Sequence, residues 1–274
     1  MLTVSELFIY PIKSLGGLSV PCASVTDRGF EYDRRWMLVD MNNRFLTQRA
    51  VPKMALLQVK LTGEGLKVHH KTKDDSINIP LTPQTSETAL AQIWDDECRV
   101  QWVSAAVDCW FSDMLSIQCR LVYMPDTTYR NVDSLYAANN EITSLSDAYP
   151  FLIIGQASLD DLNSRMDEAL PMNRFRPNIV FTGGAPFQED TMEQFVINNI
   201  QMFGVKLCAR CMITTINQQN GECGKEPLKT LATYRMKNNK IYFGQNVLAH
   251  GTGQIQVGNS IHIVKEKMNE PFAM

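Results

Sequence analysis

The sequence has no basic run, and its formal net charge is -3, from 26 Lys and Arg against 29 Asp and Glu. A chain without a positive field has no built-in attraction for phosphate backbones or anionic lipid, so neither nucleic acid nor a membrane surface is an expected partner. The first residues, MLTVSELFIYPIKSLGG, lack a basic segment leading into a long apolar stretch. No signal peptide and no membrane-crossing helix are predicted, and a cytoplasmic protein is expected. Histidine is scarce: His69, His70, His250 and His262 form no H-x-x-x-H pair. A zinc site built on paired histidines therefore has no basis in the sequence. Also missing are a G-x-G-x-x-G that follows a strand and opens a helix, an internal repeat and a low-complexity linker.

What is present is globular. Hydrophobic residues make up 45% and charged residues 20% of 274 positions, enough for two modest domains or one large one. Short β-type runs dominate. TVSELFIYPI is a first strand ending near Pro11, and RRWMLVD, RFLTQ, ALLQVKLT, LKVHH, SINIPL and CRVQWV follow at close spacing with turn residues between them. Strands this close, without intervening helices, predict an antiparallel barrel or curled sheet. A helix comes next, with Val107, Trp110, Phe111, Met114 and Leu115 on one face. CRLVYM reads as a strand, and residues 125–149 as a long loop of the kind that often carries function. Beyond it, PFLIIG, NIVFTGG, FVINN, IQMFGVKLC, MITTIN, IYFGQNVLAH, GQIQVG and SIHIV read as strands. Ser158 is expected to cap a helix bearing Leu159, Leu162 and Met166, and Pro227 to begin the helix PLKTLATYR. The fold class is β-rich α+β: two packed barrel-like domains with a few short helices, residues 1–120 and 121–265, and a short tail, 266–274.

Seven cysteines are scattered through the chain, at positions 22, 98, 109, 119, 208, 211 and 223. With no export signal they are expected to be reduced thiols, most of them buried, Cys109 as a packing residue of its helix. Cys208 and Cys211 form a C-x-x-C with Cys223 nearby. Four readings compete. Zinc needs four ligands, and this is one pair with a possible third. A redox dithiol sits at a helix start, whereas the β-branched residues after Cys211 place this motif between strands. Both thiols could simply be buried. The fourth reading is one thiolate on a soft metal, with Arg210 beside it to favour the anion or to grip an anionic cofactor.

The stretch KLCARCMITT followed by GKEPLKTLATYR resembles the C-terminal signature of MOSC-domain proteins. LFIYPIKSLGGLSV and YDRRWMLVD resemble the N-terminal β-barrel domain that accompanies it, and YPFLIIGQASLDDLN and RFRPNIVFTGG match the middle of the same family. Similar motifs occur in bacterial two-domain MOSC proteins and in the mitochondrial amidoxime-reducing component. The resemblance implies a molybdenum cofactor, a pterin dithiolene carrying molybdenum and a phosphate. It implies Cys211 as metal ligand and catalytic residue, with Lys13, Ser14, Arg34, Arg176 and Asn178 binding the pterin and phosphate. Arg210 and the loop Asp147 to Tyr149 complete the expected pocket, and Cys208 packs beside it. The implied activity is reduction of small N-hydroxylated compounds: amidoximes, hydroxylamines and N-hydroxylated base analogues. Only ten residues, none of them cysteine, follow Val264, so no [2Fe–2S] cluster is expected in this chain. Electrons should come from a separate ferredoxin- or flavoreductase-type protein. Pyridoxal phosphate, used by the aminotransferase-like domain of molybdenum cofactor sulfurases, is not expected. The rival reading is a non-catalytic carrier of the cofactor or its sulfur.

Overall fold

The computed structural model describes residues 1–137, 139–268 and 272. Most of the expected tail, including 269–271, 273 and 274, lies outside the described residues.

Seven strands close on themselves. Around the ring run Phe151–Gly155, Ile179–Thr182, Leu2–Ile9, Ser260–Glu266, Met192–Ile197, Ile200–Ala209 and Lys240–His250, and the last pairs back onto the first. One neighbouring pair is parallel, Phe151–Gly155 with Ile179–Thr182, and the helix Gln156–Asn163 lies between them in sequence. A parallel pair needs such a crossover; the antiparallel pairs around the rest of the ring do not. Closure leaves no sheet edge to protect. Gly244 helps it close: its φ is +81°, and a Cβ there would lie 2.7 Å from Ile154 and 3.1 Å from the Ile153 carbonyl.

Alternating side chains fill the ring with Val4, Leu7, Phe151, Ile153, Ile179, Phe181, Phe195, Met202 and Val247, all nearly inaccessible to water. At about 1.5–3 kcal/mol for each large apolar side chain buried, this interior and the three cores beside it are the main force holding the chain compact.

A second system is built from the first half of the sequence. A four-stranded sheet runs Trp36–Val39, Arg120–Tyr123, Asp96–Trp102, Thr88–Ile93, and a three-stranded meander comprises Leu57–Thr62, Gly65–His70 and Ser76–Pro80. The helix Ala105–Leu115 covers them. Ser104 caps it by accepting from the Val107 amide at 3.3 Å, and Val107, Phe111 and Leu115 face the core, as the spacing predicts. The first strand of the chain, however, lies in the ring with C-terminal strands, and Arg120–Tyr123 pairs with Trp36–Val39. The chain therefore crosses between the two systems at both ends of its first half.

Several local expectations need correction. RFLTQ is not a strand: Arg44 and Phe45 make single bridges, and the chain then turns, with the amides of Ala50 and Val51 both donating to the Thr47 carbonyl. MITTIN is a tight 3-10 turn, Met212–Thr215, because the Thr214 hydroxyl and amide both donate to the Cys211 carbonyl. Ser158 does not cap its helix; Gly155 precedes the first turn, and the Ser158 hydroxyl donates to Glu189 instead. Pro227 stands just before its helix, which is only Leu228–Ala232. A strand absent from the sequence reading, Thr88–Ile93, pairs with Asp96–Trp102 through its weak TALAQI alternation. Most cysteines are not buried: Cys98 and Cys119 are, while Cys109 is exposed on the outer side of its helix.

Candidate functional site

Lys13, Ser14, Arg34, Asp147, Tyr149, Arg176, Asn178, Arg210 and Cys211 all line one cleft of about 140 Å³, open to solvent, at the seam between the two systems. Cys208 lines it as well. The sequence scatters these residues over about two hundred positions, and the crossovers of the chain bring them together.

Each stands at the end of an element. Lys13 and Ser14 follow the strand Leu2–Ile9; the Lys13 amide donates to the Trp36 carbonyl at 2.8 Å, and the Ser14 carbonyl accepts from the Gln48 amide group at 2.7 Å. Arg34 sits in the turn before Trp36–Val39, and its carbonyl accepts from the Leu145 amide at 2.9 Å. Ser14, Arg34 and Arg176 all have positive φ, 67°, 49° and 56°. Three non-glycine residues in this sparsely populated region, all lining one cleft, mark a backbone held in place by its surroundings.

Electrostatics divide the cleft in two. At one end the buried Lys13 ammonium pairs with Asp147 Oδ1 at 2.6 Å. Burial lowers the Lys13 pKa to about 8, and the Asp147 charge limits the drop. Burial acts against the Asp147 charge too, but Lys13 and the more distant Arg49 outweigh it and hold that carboxyl well below the usual carboxylate range. The loop carrying Asp147 is clamped by Arg130, which donates to the carbonyls of Ser144, Ser146 and Asp147 at 2.7 to 3.1 Å.

At the other end Tyr10 lies between two guanidinium groups, Arg34 and Arg176, each 4.3 Å from its ring centre. Its hydroxyl donates to the Pro177 carbonyl at 3.0 Å, and burial pushes its pKa up to about 12. Arg34 is spent on protein partners: Asp33 at 2.6 Å, Asn178 Oδ1 at 3.0 Å and the Arg176 carbonyl at 3.3 Å. Arg176 is not. Its buried Nη2 has no hydrogen-bond partner, and burial brings its pKa down to about 10, still charged at neutral pH. Arg210 donates to the Phe175 carbonyl at 2.6 Å and to Cys208 Sγ at 2.9 Å, and leaves its Nε idle. Asn178 is engaged by the protein through both ends of its side-chain amide. Its Nδ2 donates to the Phe8 carbonyl, and its Oδ1 accepts from the Leu152 amide as well as from Arg34. It fixes Arg34 between three strands.

Cys211 begins the Met212–Thr215 turn, whose backbone Arg174 braces by donating to the Thr214 carbonyl at 2.8 Å. Among the described residues, no three or more His, Cys, Asp or Glu side chains gather as a metal cluster. The nearest charged group recorded at Cys211 is Arg49, whose Nη1 lies 3.6 Å from Sγ. Sequence reasoning missed Tyr10, Asp33, Arg49, Trp94 and Arg130. Tyr10 and Asp33 sit inside the motifs IYPIKS and YDRRW and could have been found there; Arg49 and Trp94 carry no local signal.

A cationic cleft with unused donors at one end and a partly exposed soft sulfur fits an anionic, sulfur-ligated metal cofactor. Arg176 Nη2 and Arg210 Nε are buried donors that only a ligand or water can satisfy.

Comparison with known proteins defines the class. Residues 1–118 match the MOSC N-terminal beta barrel domain and residues 140–262 the MOSC domain. The chain is 32% identical to mitochondrial amidoxime-reducing component 1 of Mus musculus, over 96% of this chain and 82% of that protein. It is 30% identical to the Homo sapiens counterpart over 96% and 83%. It is also 30% identical to the molybdenum cofactor sulfurase of Oryza sativa subsp. japonica, matching over 88% of this chain but only 32% of that longer protein. The chain belongs to the MOSC family, in its two-domain form with an N-terminal MOSC β-barrel domain, alongside the amidoxime-reducing components. Among the described residues, no helix is long and apolar enough to cross a membrane.

Proposed function

We propose that this chain is a molybdenum-cofactor oxidoreductase that reduces small N-hydroxylated compounds, with electrons delivered by a separate electron-transfer protein. The observation that carries the reading is the convergence of Cys211 and four cations on a single open cleft, with buried donors left idle. Cys211 would ligate the metal. Arg176 and Arg210, whose donors are free, would hold the phosphate and pterin. Lys13 and Arg34 add charge, and Asn178 keeps Arg34 in place. The cofactor, when bound, supplies the two-electron chemistry.

The chain's own groups do the rest. The Lys13–Asp147 pair fixes the loop that walls the cleft, and the guanidiniums about Tyr10 set its positive potential. The overall reaction takes an N-hydroxyl compound, two electrons and two protons to the amine or amidine and water. Protons reach the cleft from solvent, to which it is open. The donor would be a ferredoxin- or flavoreductase-type partner, and a cytoplasmic setting suits it.

The test is molybdenum and pterin content of the freshly purified protein, followed by turnover of benzamidoxime or a hydroxylamine with a reduced dye. Molybdenum with turnover supports the enzyme. Molybdenum without turnover by any donor favours a carrier, and zinc in place of molybdenum overturns both. NADH as sole reductant should give no turnover by the pure chain.

A further inference from the structure

Two residues outside the expected set stand at the cysteine. Arg49 Nη1 approaches Cys211 Sγ to 3.6 Å, and its Nη2 is buried without a partner. The guanidinium lies on the indole of Trp94, 4.2 Å from the ring centre. Trp94 is the tip of the hairpin between Thr88–Ile93 and Asp96–Trp102, at a positive φ of 55° that a bulky residue rarely adopts. It is 44% exposed, its ring lies 5.1 Å from that of Phe45, and its side chain hydrogen-bonds the Asp147 carboxylate.

The backbone behind Arg49 is equally constrained. Gln48 exchanges two hydrogen bonds with Gln218 across the seam, at 3.2 and 2.9 Å, and both side chains are buried. The amides of Ala50 and Val51 turn back onto Thr47. A guanidinium held on three sides, with one edge on a sulfur and an N–H idle, is pre-organised for an acceptor atom arriving beside that sulfur. Two other cations of the cleft are less available: Arg34 spends its N–H groups on Asp33, Asn178 and a carbonyl, and Lys13 is paired with Asp147.

We propose that Arg49, shelved on Trp94, donates a hydrogen bond to the oxygen of the substrate's N–O group beside the Cys211 sulfur, with Trp94 as the residue that positions it. The substrate class rests on the function proposed above. Arg49 orients that oxygen and stabilises negative charge on it as the N–O bond breaks. It is not the proton source, because a guanidinium does not give up its proton in this range. The two electrons come from the external electron-transfer protein and the two protons from solvent, and the oxygen leaves as water. The N-terminal domain thereby contributes a group that touches substrate.

Two measurements test this. The first needs no cofactor: peptide-resolved alkylation of Cys211 in cofactor-free protein by iodoacetate and by iodoacetamide. The ratio of the two rates cancels the thiolate fraction and reports the local cation. Arg49→Gln should lower the iodoacetate preference by about three- to tenfold. Trp94→Ala should lower it by a smaller factor, and Arg49→Lys should keep most of it. An unchanged ratio in Arg49→Gln, with an unchanged melting temperature, overturns the geometry.

The second uses loaded protein. Arg49→Gln should lower kcat for benzamidoxime by about a hundredfold, with molybdenum content unchanged. Arg49→Lys, which keeps the charge but loses the fork, should recover only part of that rate. Trp94→Phe should recover more than Trp94→Ala. Wild-type kcat in Arg49→Gln overturns the assignment. Absence of turnover in the wild-type protein sinks the proposed function, and with it the substrate assignment, while the alkylation ratio still decides the place of the cation.

Discussion

Two groups of buried charge in this molecule make an instructive pair. Beside the ring, the neighbouring carboxyls of Glu189 and Asp190 meet one guanidinium, Arg235, through Asp190 Oδ2 at 2.6 Å, all three nearly inaccessible to water. The Phe187 ring lies 4.1 Å from that guanidinium. In the cleft, Lys13, Arg34, Arg176 and Arg210 stand around open space with Asp33 and Asp147 as counter-charges. Arg235 and, through space, Lys267 act on Asp190, and the sealed group settles the remaining carboxyl internally: burial, with the Asp190 charge adding to it, pushes Glu189 up to about 8, so the carboxyl is largely neutral at pH 7. The cleft is short of negative charge and does not settle it. Arginine cannot shed its proton, so a cluster of guanidiniums keeps its charge and waits for an anion. An excess that can be titrated away is structural; one that cannot is a binding site.

The largest expected effect comes from removing the sulfur. Cys211→Ser should abolish reduction of hydroxylamine substrates, with the melting temperature near wild type, because the side chain is partly exposed and packs little. Dye-driven turnover together with molybdenum content checks it. Retained turnover would mean that the cleft's chemistry does not run through this cysteine.

Next in size is the idle guanidinium. Arg176→Gln should reduce pterin content at least about tenfold, since a desolvated charge-assisted pair is worth about 1.5–3 kcal/mol. In cofactor-free wild-type protein, inorganic phosphate should raise the melting temperature, and Arg176→Gln should erase that rise. A phosphate response that survives the substitution would break the contrast between the two clusters.

The sealed cluster makes the opposite forecast. The Glu189 carboxyl is raised from an ordinary 4.5 to about 8 in the folded protein. For an acid shifted upward, the stability is fully present below pH 4.5 and drains as pH rises toward 8, because only the unfolded chain ionises in that window. Glu189→Gln removes this dependence. The variant should match wild type near pH 4.5 and exceed it by about 1–3 kcal/mol at pH 8, read from denaturant unfolding at both values. A gap that does not change with pH would show that Glu189 is charged in the folded state.

The two clusters also differ in how far the sequence revealed them. Cys211, Arg176 and the Lys13–Ser14 pair sat in motifs that resemble a family, and all reach one cleft. Glu189 and Asp190 drew no reading from the sequence, because charge in a sequence carries no mark of its later burial. Strand runs with clean alternation, such as FVINN and LKVHH, were readable; TALAQI was not, since alanine and threonine give little contrast between faces. MITTIN misled because its β-branched residues promise a strand, whereas the Thr214 hydroxyl turns back onto the Cys211 carbonyl. Arg49 and Trp94 were invisible for a plainer reason: they meet Cys211 only through the crossing of the chain between its two halves.

The smallest effect should fall on the other cysteine of the C-x-x-C, and it separates one working sulfur from two. Zinc or a redox dithiol would need both thiols, so losing either would empty or inactivate the site. Here Cys208 accepts a hydrogen bond from Arg210 Nη1 at 2.9 Å and is only partly buried. A serine hydroxyl can accept the same bond from nearly the same place. Cys208→Ser should therefore cost no more than about 1 kcal/mol of stability, below the range for a fully buried thiol, and keep molybdenum and most of the turnover. Cys208→Ala removes the acceptor and frees the Arg210 fork, which should loosen pterin more than the serine does. Metal content and turnover in the three single variants give the order Cys208→Ser, Cys208→Ala, Cys211→Ser from mildest to most severe. Equal and complete loss in Cys208→Ser and Cys211→Ser, both still folded, would show that the two sulfurs act as a pair.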